Sequence, residues 1–318
     1  MAMQPEPGDL HIDTLLTNIS IGYHNMNYIA DQVFPIVPVQ KRSDLIPAYD
    51  QSPWFRDEAK IRAPKTRSHR GGFTVGQDNY FCNRYSFGYE IADETRDNAD
   101  NQWNLDRDAT TFVTDKIGMS REIAIATNHF TTGVWGDDEV GGTDFAQWDD
   151  YANSQPMIDL ANYSYDMEGQ IGREPNTLVI GAKVWNALRF HPDMIDLIKY
   201  TRVGLIDQAT FQDLTGVPRL LIGRGIYTDD PEGTPENSVT YKRIWGNHAL
   251  WAYVAPSPSL MEPTAGYTFV WNRVPNAIQY IRRFRDEERE IDIIEGNTYY
   301  DHKVTGRRAG IFLQNVVS

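Results

Sequence analysis

The sequence predicts an α+β chain, with strands and helices segregated rather than alternating as in a doubly wound sheet. Three observations carry that expectation. Residues 73–91 follow a period of two: Phe73, Val75, Phe81, Tyr85, Phe87, Tyr89 and Ile91 are apolar, with mostly polar or small residues between them. Residues 100–127 switch to helical period, with Leu105, Ala109, Phe112, Val113, Ile117 and Ala124 at helix spacing. Strand-like runs and short helices then follow in blocks through the second half.

The elements follow in order. Residues 29–39 hold Pro35 and Pro38, which forbid a helix there, so the segment reads as an extended arm lying against something apolar. Residues 41–72 form a basic, proline-containing excursion, and Gly71-Gly72 mark a bend before the strand. A helix of about 25 residues spans roughly 38 Å, which suggests an elongated subunit, and Gly118 is a candidate bend in it. Residues 131–153, rich in Gly, Asp and Trp, read as a loop. Ser154 offers an N-cap and Pro156 a first turn for a helix ending near Gly169. A strand at 177–180, a helix at 183–190, another from Pro192 to about Ile198 and a third from Asp207 to Gly216 lead to a strand at 219–222. Residues 228–238 are a polar loop, and later strands are expected at 250–254, 267–271, 278–284, 291–294 and 310–317.

The formal net charge of −14 disfavours a DNA-coating or membrane-surface protein, since both need positive charge where they touch phosphate. That charge is divided. Residues 122–172 hold ten acids and no Lys or Arg, whereas residues 56–70 hold six bases against two acids. A basic loop and an acidic stretch in one chain can pair between copies. No apolar run is long enough to cross a membrane, and the polar N-terminus is no secretion signal. Cys82 is the single cysteine, and the seven histidines are scattered, so neither a disulfide nor a helical metal site is expected.

Catalytic motifs fare poorly. Ile222-Gly223-Arg224-Gly225 lacks the third glycine of a dinucleotide fingerprint and reads as a turn. Asp137-Asp138-Glu139 and Asp149-Asp150 do not fit a calcium-loop register. Trp135 and Trp148 with nearby acids could line a glycosidase cleft, but packing of a loop is the plainer reading. Cys82 reads as a small residue on the strand's polar face. The run Arg282–Glu290, four bases and four acids, reads as a solvated face or as cross-strand pairing.

Taken in order, several segments resemble the major capsid proteins of tailed bacteriophages, with the Hong Kong 97-like fold. They are the arm IADQVFPIVPV at 29–39, Lys41-Arg42-Ser43-Asp44 with Tyr49-Asp50, and the strand at 85–91 leading into the long helix. The fullest match is PNTLVIG at 175–181 with Val184, Trp185, Ala187, Leu188, His191 and Pro192, running on to Gly216-Val217 and Ile222-Gly223. Ala309-Gly310-Ile311-Phe312-Leu313 resembles the family's last strand.

The resemblance implies an N-terminal arm at 1–38, an extended β-hairpin loop at 39–90 and an axial domain at 176–285. It also implies a peripheral domain with a spine helix at 91–175, rejoined by 286–318. It implies a shell of hexamers and pentamers of this chain around double-stranded DNA, with little direct DNA binding, no membrane, no catalytic, cofactor or metal site, and no enzymatic activity. Scaffolding, portal and decoration proteins are possible partners, in the virion and, before assembly, the host cytoplasm. The charge division suggests Arg56, Lys60, Arg62, Lys65, Arg67 and Arg70 of one copy against Asp137, Asp138, Glu139, Asp144, Asp149 and Asp150 of the next. The arm is expected to pack through Val33, Phe34, Ile36 and Val37 and to supply most of the association energy. Two alternatives stay open: an encapsulin-like cargo shell, and a hydrolase using the loop at 131–153.

Overall fold

A computed structural model of the chain describes residues 28–49, 55–72, 75–98, 104–198, 206–258, 262, 264–273 and 277–318. The arm enters with one helical turn, Ala30–Val33, before strand β1 (Ile36–Val39). The expectation of no helix there holds only from Phe34 onward. That residue precedes Pro35 and is extended (φ −116°, ψ 97°), as the proline ring requires of its predecessor. Strands β2 (Ser43–Tyr49) and β3 (Val75–Phe81) pair antiparallel into a two-stranded ribbon. Periodicity did not mark β2 as a strand, but the ribbon lies within the extended β-hairpin loop that the family resemblance implied at 39–90.

The single strand expected at 73–91 is two strands. Strand β3 pairs with β2, whereas β4 (Asn83–Ala92) belongs to a different sheet, and Cys82 is the joint. Its N–H donates to the Arg42 carbonyl at 2.9 Å, and its thiol donates to the Phe269 carbonyl at 3.5 Å. Cys82 is therefore fully buried, not a residue of the polar face. After a short helix (Asp93–Asp97), the long helix runs Leu105–His129, with the Asn104 side chain accepting from the Arg107 N–H at 3.1 Å.

The acidic loop contains an unforeseen strand, β5 (Asp137–Val140). The next helix runs Pro156–Ile171 and starts at Gln155, so Ser154 is not its cap. Strand β6 (Thr177–Gly181) is followed by helices Ala182–Arg189, Pro192–Ile198 and Gln208–Thr215, the last capped by Asp207. Then come β7 (Arg219–Gly223), the small hairpin β8 (Ile226–Tyr227) and β9 (Lys242–Arg243), and β10 (Ala249–Ala252). The chain finishes with β11 (Gly266–Trp271), β12 (Gln279–Asp286), β13 (Ile291–Val304) and β14 (Gly310–Gln314).

Two five-stranded sheets organise these elements. In the first, β13 carries β4 along one edge and β12 then β11 along the other, with β1 parallel to β11. The second has the order β5-β14-β10-β6-β7. The sheets group the chain differently from the divisions 91–175, 176–285 and 286–318. Strand β5 joins the sheet of β6, and β14 inserts between β5 and β10. Strands β11 and β12 lie instead in the sheet of β13. Apart from the β12–β13 hairpin, these partners are remote in sequence, where local pattern carries no pairing information.

The long helix lies on the first sheet through Ala109, Val113 and Ile117, which meet Ile91, Ile281 and Ile294. Gly296 makes that approach possible. A β-carbon there would stand 2.6 Å from Val113 Cγ1 and 2.7 Å from Ile117 Cδ1, so any side chain would push the helix off β13. At Gly118 a β-carbon would stand 3.1 Å from the Tyr28 ring, so this glycine is a docking point for the arm rather than a bend inside a helix that continues to His129.

The charged run at 282–290 is cross-strand pairing. Arg283 bridges Asp292 at 2.9 Å and Asp106 at 3.2 Å, and Arg96 bridges Asp106 and Asp292 at 2.8 and 2.9 Å. Arg289 reaches Glu90 on β4 at 2.8 Å. These pairs hold the β12–β13 hairpin to the start of the long helix.

Candidate subunit interface

The arm is anchored by its own chain. Glu122, on the long helix, is fully buried and accepts the N–H groups of Ile29 (3.0 Å) and Ala30 (2.7 Å). The Trp245 indole N–H, from the loop before β10, also donates to it. Burial pushes its carboxyl up, against the pull of those three donors. Beside it Arg121 pairs with Asp31 of the arm at 2.7 Å. One residue of the long helix thus ties the arm to the loop that leads into β10 of the second sheet, and it was read in sequence merely as the first acid of the stretch 122–172.

Further along, Phe34 is fully buried among His129, Trp135 and His302, with ring centroids 5.2, 6.3 and 6.4 Å away. The Thr268 hydroxyl donates to the Phe34 carbonyl at 3.1 Å. Val33 is buried in the same cluster. Ile36 and Val37 are half-buried, with Val37 packed against Cys82, Tyr267 and Phe269. Val33 and Phe34 therefore pack inside the subunit, and Val37 packs partly there. The burial of Val33 and Phe34 stabilises the subunit itself, so these two side chains are spent within it. The arm upstream, residues 1–27, lies outside the described residues.

Residues 56–70 form an exposed, irregular loop at the end of the β2–β3 ribbon. Ile61 is completely exposed between Lys60 and Arg62. Among the described residues, none of Arg56, Lys60, Arg62, Lys65, Arg67 and Arg70 makes an ion pair. Phe55, at the loop's root, lies against Gly172 at the end of the helix Pro156–Ile171.

The six predicted acids divide into two groups. Asp149 accepts the Ser318 N–H at 2.9 Å, Asp150 accepts from Asn153 Nδ2 at 2.8 Å, and Asp138 accepts the Gly133 N–H. These three hold turns and the last residues of the chain in place. Asp137, Glu139 and Asp144 lie on or beside β5, an edge strand of the second sheet, where Asp137 accepts from Gln170 Nε2 and Asp144 accepts the Val140 N–H at 2.8 Å, but no cation pairs with them among the described residues. Burial and the carboxylates of Asp144, Asp137 and Asp166 push the Glu139 carboxyl up, the mark of negative charge left uncompensated within the subunit. Asp166, on the neighbouring helix, belongs to this cluster and was not singled out in the sequence. An acid on the exposed face of an amphipathic helix, beside the buried Met167, carried no signal.

The catalytic alternatives meet specific geometry. Trp148 is fully buried with its indole N–H on Asp159 at 3.0 Å, while Trp135 is buried in a different cluster and donates to the His129 carbonyl at 2.7 Å. The two rings fill separate cores and do not line one cleft. Ser154 Oγ lies 3.0 Å from His191 Nε2, a distance a nucleophile–base pair would need. Yet Ser154 donates to the Asp150 carbonyl at 2.8 Å and both residues are buried, so the pair fastens two loops together. Burial pushes the Cys82 thiol up to about 11, away from nucleophilic reactivity. The segment Ile222–Gly225 leads into the β8 turn, with no helix to receive a phosphate.

No family model matches the chain. The chain is similar to the major capsid protein of Burkholderia phage BcepMu, 25% identical over 311 residues that cover 96% of each chain. It is also similar to the major capsid protein of Pseudomonas phage JBD67, 26% identical over 247 residues, 76% of this chain and 77% of that one. Among solved structures, a phage-related protein from Bordetella bronchiseptica aligns with a TM-score of 0.73 at 21% identity, covering 96% of this chain and 98% of that one. The capsid of cyanophage P-SCSP1u aligns at 0.58 with 11% identity over 99% and 93% of the two chains. The SrpI encapsulin of Synechococcus elongatus aligns at 0.53 with 10% identity over 90% and 87%. The chain has the Hong Kong 97-like capsid fold and is a relative of phage major capsid proteins.

Proposed function

We infer that this chain is a phage major capsid protein whose copies assemble into an icosahedral head shell enclosing double-stranded DNA. The similarity to the BcepMu major capsid protein over 96% of both chains carries the reading. A sheet braced by one long helix, with the arm clamped onto both and an exposed loop at the end of the β2–β3 ribbon, suits a subunit whose work is mechanical. The purified chain, alone or co-expressed with its phage's scaffolding protein, is expected to form closed particles by negative-stain electron microscopy. A stable monomer under both conditions would sink the reading. The encapsulin likeness favours one second reading, a shell around a protein cargo, and the contents of native particles separate the two: packaged DNA or a cargo enzyme.

In this reading the first sheet with its long helix forms the peripheral body and the second sheet the axial body. The basic loop at 56–70 docks on the β5 edge of an adjacent copy, against Asp137, Glu139, Asp144 and Asp166. Exposed pairs contribute only about 0–1 kcal/mol each. Repetition over a shell makes such contacts sufficient, and their weakness lets misplaced subunits leave. Reversing Arg62, Lys65 and Arg67 to Glu is expected to lower particle yield strongly at low salt while leaving the subunit folded, because all three are exposed and none is ion-paired among the described residues. Unchanged yield by sedimentation would remove the charge-docking idea. With a net charge of −14 the shell repels its contents, so DNA contact is slight and packing is motor-driven. Scaffolding, portal and decoration proteins complete the proposed set of partners, and the host cytoplasm is the proposed place of assembly.

A further inference from the structure

We propose that His129 and His302 form an acid-sensitive latch whose protonation releases the arm, residues 29–39, while the long helix and β13 stay in place. The two rings sit edge to face, with centroids 6.3 Å apart, one on the last turn of the long helix and one on β13. Both face Phe34 of the arm, at 5.2 and 6.4 Å.

The hydrogen bonds define the charge state. The Thr268 hydroxyl gives its hydrogen to the Phe34 carbonyl, so His302 Nδ1, 2.9 Å from Thr268 Oγ1, must be the donor of that pair. His302 Nε2 then carries the lone pair. It is buried, with no hydrogen-bond partner among the described residues. A proton arriving there finds no acceptor.

The surrounding charges make matters worse for a cation. Arg121, from the long helix, lies over the neighbouring Tyr300 ring at 5.7 Å, and its field, with that of His129, disfavours a charged His302. Lys303, from β13, does the same to His129. The carboxylates packed nearby are committed: Asp31 of the arm to Arg121, and Glu122 to the arm amides and Trp245.

Burial lowers His129 to about 4 and His302 to about 3, from an ordinary value of 6.5. At His129 a hydrogen bond to the His302 backbone offsets only part of that lowering. Both values are lower in the closed state than in the open one. The latch is therefore fully closed above 6.5 and weakens as pH falls from 6.5 towards 4. The equilibrium for opening rises by about ten-fold per pH unit per histidine across that window. Glu122 works in the opposite direction. Its raised value means that it takes a proton in the closed state first, which favours closure as pH falls.

Release falls on the arm because the arm is held least. The long helix and β13 carry continuous backbone ladders, whereas β1 is a four-residue strand paired, among the described residues, with β11 alone.

Hydrogen exchange of the full chain tests this, read as protection factors so that the intrinsic pH dependence of exchange cancels. From pH 7 to 4.5, protection over residues 29–39 is expected to fall by about ten- to hundred-fold per pH unit below 6.5, with β13 unchanged. The double variant His129→Gln, His302→Asn, whose introduced asparagine amide can still donate to Thr268, is expected to hold arm protection nearly constant over that range. A wild-type arm whose protection does not change with pH would overturn the proposal. So would a double variant that opens with the wild-type profile. If the double variant does not fold, His129→Gln alone should reduce the slope by about ten-fold per pH unit, and an unchanged slope would overturn the proposal equally.

Discussion

Replacing Glu122 by alanine is expected to cost the subunit about 3–5 kcal/mol, the scale of breaking a buried charged contact by removing one partner. Three donors lose their acceptor at once: the N–H groups of Ile29 and Ala30 and the indole N–H of Trp245. Each buried donor left unpaired costs about 1–3 kcal/mol, and the sum is less than additive because the arm can lift and rehydrate its own two. Trp245 has no such escape, being almost fully buried against Phe130 at 5.0 Å. Glutamine is expected to recover only part of the loss, since its amide nitrogen would face donors that need an acceptor. Denaturant unfolding of the dissociated subunit measures both variants. A loss below about 1 kcal/mol for alanine would show that water replaces the carboxylate, and the view of Glu122 as the joint between arm, helix and second sheet would fail.

Phe34→Ala is expected to cost a similar amount, about 3–5 kcal/mol, from lost transfer energy and the cavity left behind. The cavity would be lined by His129, Trp135 and His302. Because it opens at the joint of a short edge strand, part of the loss should appear as local detachment of the arm rather than global unfolding. Protection over residues 29–39 is then expected to vanish in hydrogen exchange while the β12–β13 ladder stays protected. Phe34→Leu, which keeps most of the volume, should cost less than about 1.5 kcal/mol. Equal losses for alanine and leucine would mean that the ring is not a packing anchor.

Both residues show where sequence reading succeeds and stops. Phe34 was legible, since an apolar residue in a proline-punctuated segment must lie on something apolar. What it lies on was not legible, and the answer is this chain's own helix and sheet, not a neighbour. Glu122 was read only as the first acid of the stretch 122–172, because a buried carboxylate and an exposed one look alike in composition. Its neighbours Arg121 and Ile125 are buried too, but helical period alone did not mark a polar residue as core. Strand β5 was hidden for a related reason. Asp137-Asp138-Glu139 has the composition of a loop, and only pairing with β14 makes it a strand. The strand at 73–91 was read with the right period, yet its division at Cys82 depends on two partners in two sheets. Along β4 the aromatic phase still holds: Tyr85 stacks on Tyr300 at 4.3 Å, and Phe87 and Tyr89 meet Phe112 edge-on at 5.9 and 5.8 Å.

By itself the sequence determined the class of fold, the long helix, the arm, and the separation of charge into a basic loop and an acidic stretch. Each of these follows from local chemistry: periodicity, proline geometry and the sign of side chains. The tertiary structure alone decided how the strands group into two sheets and which acids remain uncompensated. It also decided that Glu122, His129 and His302 converge on the arm from two elements far apart in the chain. Such partners are chosen by burial and by hydrogen-bond demand across the whole molecule, and no local window of sequence contains both halves of the choice.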